Sequence, residues 1–92
     1  MHAKIYSKAI IIEGIHTHTY ASTILSDLRD ILHYGGKQFS VFFEGSPSPS
    51  GSGITIKILI NKDLSDFEID VLQKYFKLRK IKTILLPQDS GH

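Results

Sequence analysis

His16-Thr17-His18 sets two imidazoles at alternate positions just after a strand-like stretch. On extended backbone, alternate side chains share one side, so this pair could ligate a transition-metal ion. Two ligands do not complete a site. A third would have to come from Glu13, Asp63 or a histidine of a second chain, and no spacing singles one out. The competing reading is a polar junction whose threonines cap the helix that follows. A second concentration of chemistry is cationic: Lys74, Lys77, Arg79, Lys80 and Lys82 hold five of the 11 basic residues, with no acid between them. With Lys57, the lysines at 74, 77, 80 and 82 support an alternative expectation of nucleic-acid binding. Against it, Asp63, Asp66, Glu68 and Asp70 crowd the start of the same helix. Acids at the start and bases at the end are what the helix macrodipole favours for stability alone. With no Cys there is neither a thiol nucleophile nor a disulfide framework. No glycine-rich phosphate loop ending in Lys-Ser/Thr is present. Tyr34 and Tyr75 remain as hydroxyl nucleophiles. No cofactor is expected, and a non-enzymatic role is favoured.

These groups must be held by a small core. The chain has 92 residues, of which 41% are hydrophobic and 22% charged, which fits one globular domain over residues 1–92. A net charge of +2 is less than a dedicated nucleic-acid binder usually carries. No apolar run approaches the ~18 residues of a membrane span, and the opening residues lack a signal-peptide pattern, so a cytoplasmic protein is expected. Residues 3–15 read as one extended strand with Ile10-Ile11-Ile12 at its centre. Ala21, Ile24, Leu25, Leu28, Ile31 and Leu32 then recur at helical spacing, with Thr17 or Thr19 as cap and Gly35-Gly36 as stop. Residues 37–44 form a second strand. The stretch 45–53 has the composition of a flexible linker, and its two Ser-Pro pairs suit proline-directed phosphorylation. Residues 54–61 alternate cleanly as a third strand. Ser65-Asp66-Phe67-Glu68 is a capping box, with Leu64 and Ile69 as its hydrophobic staple, opening a helix over about 66–79. A last strand covers 82–86, ended by Pro87, and a frayed tail covers 88–92.

Strand, helix, strand, strand, helix, strand is the ferredoxin-like βαββαβ order. The expectation is an α+β fold: a four-stranded antiparallel sheet, order 4-1-3-2, with two helices on one face. Several families with this topology resemble parts of the chain. Gly14-Ile15 resembles the opening of the metal loop of heavy-metal-associated domains, but Thr17 and Tyr20 stand where that family has its cysteines. The histidine pair resembles that of His-hydrophobe-His nicking enzymes, but its middle residue, Thr17, is polar. RNA-recognition domains would show aromatic rings on the two central strands, where this chain has only Tyr6. Acylphosphatases would have an Arg in the loop that here carries His16 and His18. None of these activities is carried over.

Parity then sorts the strands. Ile54, Ile56, Ile58 and Ile60 share one side of the third strand and should meet the helices. The opposite face of the sheet should carry Ile11, Phe42, Leu59 and Leu85 among Thr55, Thr83, Lys57, Glu13 and Glu44. Four large apolar groups exceed what a solvated face needs. The favoured expectation is a small protein-binding or regulatory domain that self-associates, as a homodimer, through Ile11, Phe42, Leu59 and Leu85.

Overall fold

A computed structural model describes residues 1–47 and 53–86. The elements are β1 (His2–Tyr6), β2 (Ala9–Ile15), α1 (His18–Tyr34), β3 (Phe39–Ser46), β4 (Gly53–Ile60), α2 (Asp66–Leu78) and β5 (Lys82–Leu85). The architecture is α+β, with both helices contributing to one buried cluster on one side of a five-stranded sheet. The sheet order is β3-β4-β2-β1-β5. Residues 48–52 and the tail from 87 lie outside the described residues, and with them Pro87, the frayed-tail expectation and most of the linker. Gly45 and Ser46 prolong β3, and Gly53 opens β4.

The expected first strand is two strands. Tyr6 pairs with Ala9 and Ile5 with Ile10, so Ser7 and Lys8 form a two-residue turn between antiparallel β1 and β2. Neither turn residue has a positive φ, so no Gly or Asn is needed there and the turn leaves no mark in the sequence. Distant partners hold it instead. The Ser7 carbonyl accepts from the Leu64 amide at 2.7 Å, and the Lys8 carbonyl from the Ile60 amide at 2.9 Å. The hairpin inserts β1 between β2 and β5, and β5 runs parallel to β1. A mixed five-stranded sheet therefore replaces the expected four-stranded antiparallel one.

Packing follows the side-chain alternation. Ala3, Ile5, Ile10 and Ile12 are buried with Ile54, Ile56, Ile58 and Ile60 against Ala21, Ile24, Leu28 and Leu32 of α1 and Leu72 and Phe76 of α2. Burying one such aliphatic side chain is worth roughly 1.5–3 kcal/mol. Gly14, at φ +79°, sits in a bulge between Ile12 and Ile15 that returns Ile15 to the buried side.

Both helices are closed at each end by hydrogen bonds. Thr17 caps α1 by accepting from the Tyr20 amide at 3.1 Å. At its C-terminus the Gly36 amide donates to the His33 carbonyl and the Lys37 amide to the Leu32 carbonyl, a Schellman pair with Gly36 at φ +75°. In α2 the capping box forms in both directions, Glu68 N to Ser65 Oγ at 3.1 Å and Ser65 N to Glu68 Oε1 at 2.9 Å. The second Schellman pair, Lys80 N to Lys77 O and Ile81 N to Phe76 O, puts Lys80 at φ 59°.

Glu68 does more than cap. Its Oε1 lies 2.9 Å from Lys37 Nζ, and both side chains are nearly enclosed. A Cβ on Gly35 would overlap Glu68 Oε2, so any larger residue there would force this carboxylate to shift. Burial alone would raise the pKa of Glu68, but the Ser65 amide and the Lys37 ammonium outweigh it and hold the group below the ordinary carboxylate value.

These termini generate three predictions. Lys80→Gly relieves a left-handed lysine and should stabilise the fold by about 0.5–1 kcal/mol, read as a raised urea midpoint at unchanged slope. Lys37→Met strands a buried carboxylate and should cost about 3 kcal/mol at neutral pH. Because the folded-state value of Glu68 lies below its unfolded value of 4.5, its contribution is complete above that pH and is lost as pH falls through the folded value. Glu68→Gln should remove that part of the acid limb in a pH series of denaturant melts.

Candidate functional site on the open sheet face

The strand registers lay out the face that the helices leave uncovered. One cross-strand row runs Phe42, Lys57, Ile11, Lys4, Ile84, from β3 through β4, β2 and β1 to β5. The neighbouring row carries Ser40, Leu59, Ala9 and Tyr6, and Glu44, Thr55, Glu13 and His2 belong to the other side of the first. Three of the four expected contact residues, Ile11, Phe42 and Leu59, thus stand on this face. The fourth does not. Leu85 pairs with Ile5, whose side chain is in the core, so Leu85 takes the helix side at the sheet margin, together with Thr83. Ile84, paired with Lys4, occupies the open side instead. The inserted hairpin is the cause, since β5 takes its register from β1 rather than from β2.

Lysines and glutamates of the three inner strands and β3 pair across the face. Lys57 Nζ is 2.9 Å from Glu44 Oε2, and Glu13 Oε1 lies 3.4 Å from Lys4 Nζ and 3.3 Å from His2 Nε2. Solvated pairs of this kind contribute about 0–1 kcal/mol each. They draw both lysine amines toward the glutamates one row away. Phe42 and Leu59 each keep 51% of their surface exposed, and Ile84 keeps 45%. Phe43, 54% exposed, lies on the other side of β3, beyond the reach of the helices.

The other candidate residues separate. His18 is the first residue of α1 and Thr17 is its cap, so His16 and His18 straddle a helix start rather than share one side of a strand. Among the described residues no group of three or more metal-ligating side chains occurs. The lysines named for nucleic acid do not share one surface. Lys57 is on the open sheet face and paired to Glu44, while Lys74, paired to Asp70 at 2.9 Å, and Lys77 are on α2 across the sheet. Lys80 terminates α2, and Lys82 shares the open side with His2.

Tyr75 is bound into a clasp between the helices. Its hydroxyl donates to Asp27 Oδ2 at 2.6 Å, and Arg79 Nη2 donates to the same oxygen at 3.0 Å. The Arg79 guanidinium also lies over the rings of Tyr20 and Tyr75, at 5.6 and 5.5 Å. Burial first, then the hydrogen bond and charge of Asp27, push the Tyr75 phenol well above its ordinary range, with Arg79 opposing. The hydroxyl is thus held as a hydrogen-bond donor between the helices. Residues that sequence reasoning missed include Ile84, Phe43 and a 620 Å³ groove between the end of α1 and the start of α2. Tyr34 and Phe67 stand exposed along that groove. Their helical spacing predicts an outward direction but not that the two helix ends meet.

No helix among the described residues is long and apolar enough to cross a membrane. Comparison with protein-family models, curated proteins and solved structures finds no match to this chain.

The clasp sets an alkaline limit. A phenol raised in the folded state contributes stability that is complete below its unfolded value of 10.0 and is lost as pH rises through the folded value. Tyr75→Phe should cost about 1.5 kcal/mol at neutral pH and abolish the part of the decline above pH ~10 that this group causes, measured by denaturant melts across the alkaline range.

Proposed function

We propose that this chain is a non-enzymatic protein-interaction domain, an adaptor or regulator whose open sheet face takes up another protein surface, with a second copy of the chain as its first partner. The observation that carries the reading is the exposure of Phe42, Leu59 and Ile84 on a face where Lys57 is paired to Glu44 and Lys4 to Glu13. An apolar face with internally matched charge gains most from a partner like itself. The paired charges reduce repulsion between two such faces, and each hides area that would otherwise cost about 25 cal/mol per Å². The shifted titratable groups support the same reading, because Glu68 and Tyr75 each owe their state to a cap or an interhelical clasp. The proposal includes a cytoplasmic setting, suited to a chain that uses no disulfide.

The test is solution mass by size exclusion with light scattering. Leu59→Lys/Ile84→Lys puts two unpaired cations on the face without touching the core. The wild-type mass should exceed 10.3 kDa and fall in the double variant. An identical mass for the two proteins would refute contact through the face.

A further inference from the structure

The sheet ends at β3 on one side, and the hydrogen-bonding parity of that strand can be read from its neighbours. The Ile60 amide donates to Lys8 on the β2 side of β4, whereas the Asn61 amide donates to the Gln38 carbonyl on the β3 side. Alternation along the antiparallel pair then turns the backbone of Ser40, Phe42 and Glu44 toward β4. The N–H and C=O groups of Phe39, Val41, Phe43 and Gly45 turn outward, and β3 has no second strand beside it among the described residues.

Natural sheets blunt such an edge with lysine, proline, a short strand or an inward charge. None of these devices occurs over Phe39–Glu44. The strand is eight residues long, contains no lysine or proline, and its one charge, Glu44, is already paired to Lys57 on the open face. Both of its sides are apolar, with Phe42 on one and Val41 and Phe43 on the other.

We propose that β3 pairs antiparallel with β3 of a second copy of the chain, about a two-fold axis at Phe42, joining two five-stranded sheets into one. The occupant follows from self-complementarity. A two-fold axis at Phe42 sets Val41 opposite Phe43 of the second copy as a hydrogen-bonded pair, using the outward groups of both. It sets Phe42 opposite Phe42 as a close, non-hydrogen-bonded pair, and Ser40 opposite Glu44, hydroxyl to carboxylate. Phe39 falls beside Gly45, the glycine at φ +85°, an aromatic covering an edge glycine. No like charges meet at any of these positions. This contact is separate from the open face, although it rests on the same reading that the chain assembles with itself. It would also bring two apolar rows end to end on that face.

The test is made where face contact is already removed, in Leu59→Lys/Ile84→Lys. That protein should retain about twice 10.3 kDa, and adding Val41→Pro should return it to 10.3 kDa. The Val41 amide points outward, so proline there spares the β3–β4 ladder and the far-ultraviolet circular dichroism should be unchanged. A second measurement does not depend on how proline is tolerated. The chain has no Cys, so Phe42→Cys introduces one thiol, and mild oxidation should give a covalent dimer, the facing Cα atoms lying within disulfide reach. Ser40→Cys, which faces residue 44 of the second copy, should cross-link far less. A monomeric Leu59→Lys/Ile84→Lys protein together with no enrichment of the Phe42→Cys cross-link overturns strand pairing and leaves the face contact standing. A mass that falls with Val41→Pro but not with Leu59→Lys/Ile84→Lys supports strand pairing and overturns the face contact.

Discussion

Four isoleucines at alternate positions of β4 set the terms for the whole molecule. Ile54, Ile56, Ile58 and Ile60 commit one side of this inner strand to the core, and β4 hydrogen-bonds to both β2 and β3. Once that side is fixed, both helices are needed to cover it. Leu28 and Leu32 of α1 and Leu72 and Phe76 of α2 complete one apolar cluster with it. Among the described residues there is no third helix to cover the other side. The uncovered face and the bare edge at β3 are thus direct results of where the alternation places its isoleucines, and the proposed role in assembly makes use of what the core leaves over.

The two helices are held to one another by polar groups at opposite ends. Near the start of α2, Glu68 joins the Ser65 cap and the Lys37 ammonium. Near its end, Asp27 receives both Tyr75 and Arg79. Each carboxylate serves two donors, Glu68 from Ser65 and Lys37 and Asp27 from Tyr75 and Arg79, so each fixes an angle as well as a distance. An apolar interface alone would leave the helices freer to slide. Placing one clasp at each end removes that freedom and keeps the isoleucine side of the sheet under a rigid cover.

Much of this was legible in the sequence, and the parts that were not share a cause. The α2 capping box, the Thr17 cap, the Gly35-Gly36 stop and the β4 alternation are all local signals, and each appears where the pattern puts it. The Ser7-Lys8 turn has no local signal, because its carbonyls are satisfied by Leu64 and Ile60 from far along the chain. Missing that turn hid a strand, made the sheet look antiparallel throughout and exchanged Leu85 for Ile84 on the open face. Lys37 and Glu68 meet across 31 positions, and Asp27 and Tyr75 across 48, separations at which composition gives no guide. The histidine pair illustrates the converse. Its spacing suggested shared direction, but the helix begins between the two residues, and a strand's periodicity cannot be extended across a cap.

The parallel pairing of β1 with β5 has a mechanical consequence. These are the first and last strands among the described residues, and they run side by side in the same direction, His2 opposite Lys82 and Ile5 opposite Leu85. Tension passing through the domain along the chain would pull β1 back past its own start and β5 forward past its end. The bonds between them would be sheared together and not peeled one after another, so that yielding requires all of them to give way at once. A domain wired in this way resists stretching along the line joining its flanking segments far better than its modest size suggests.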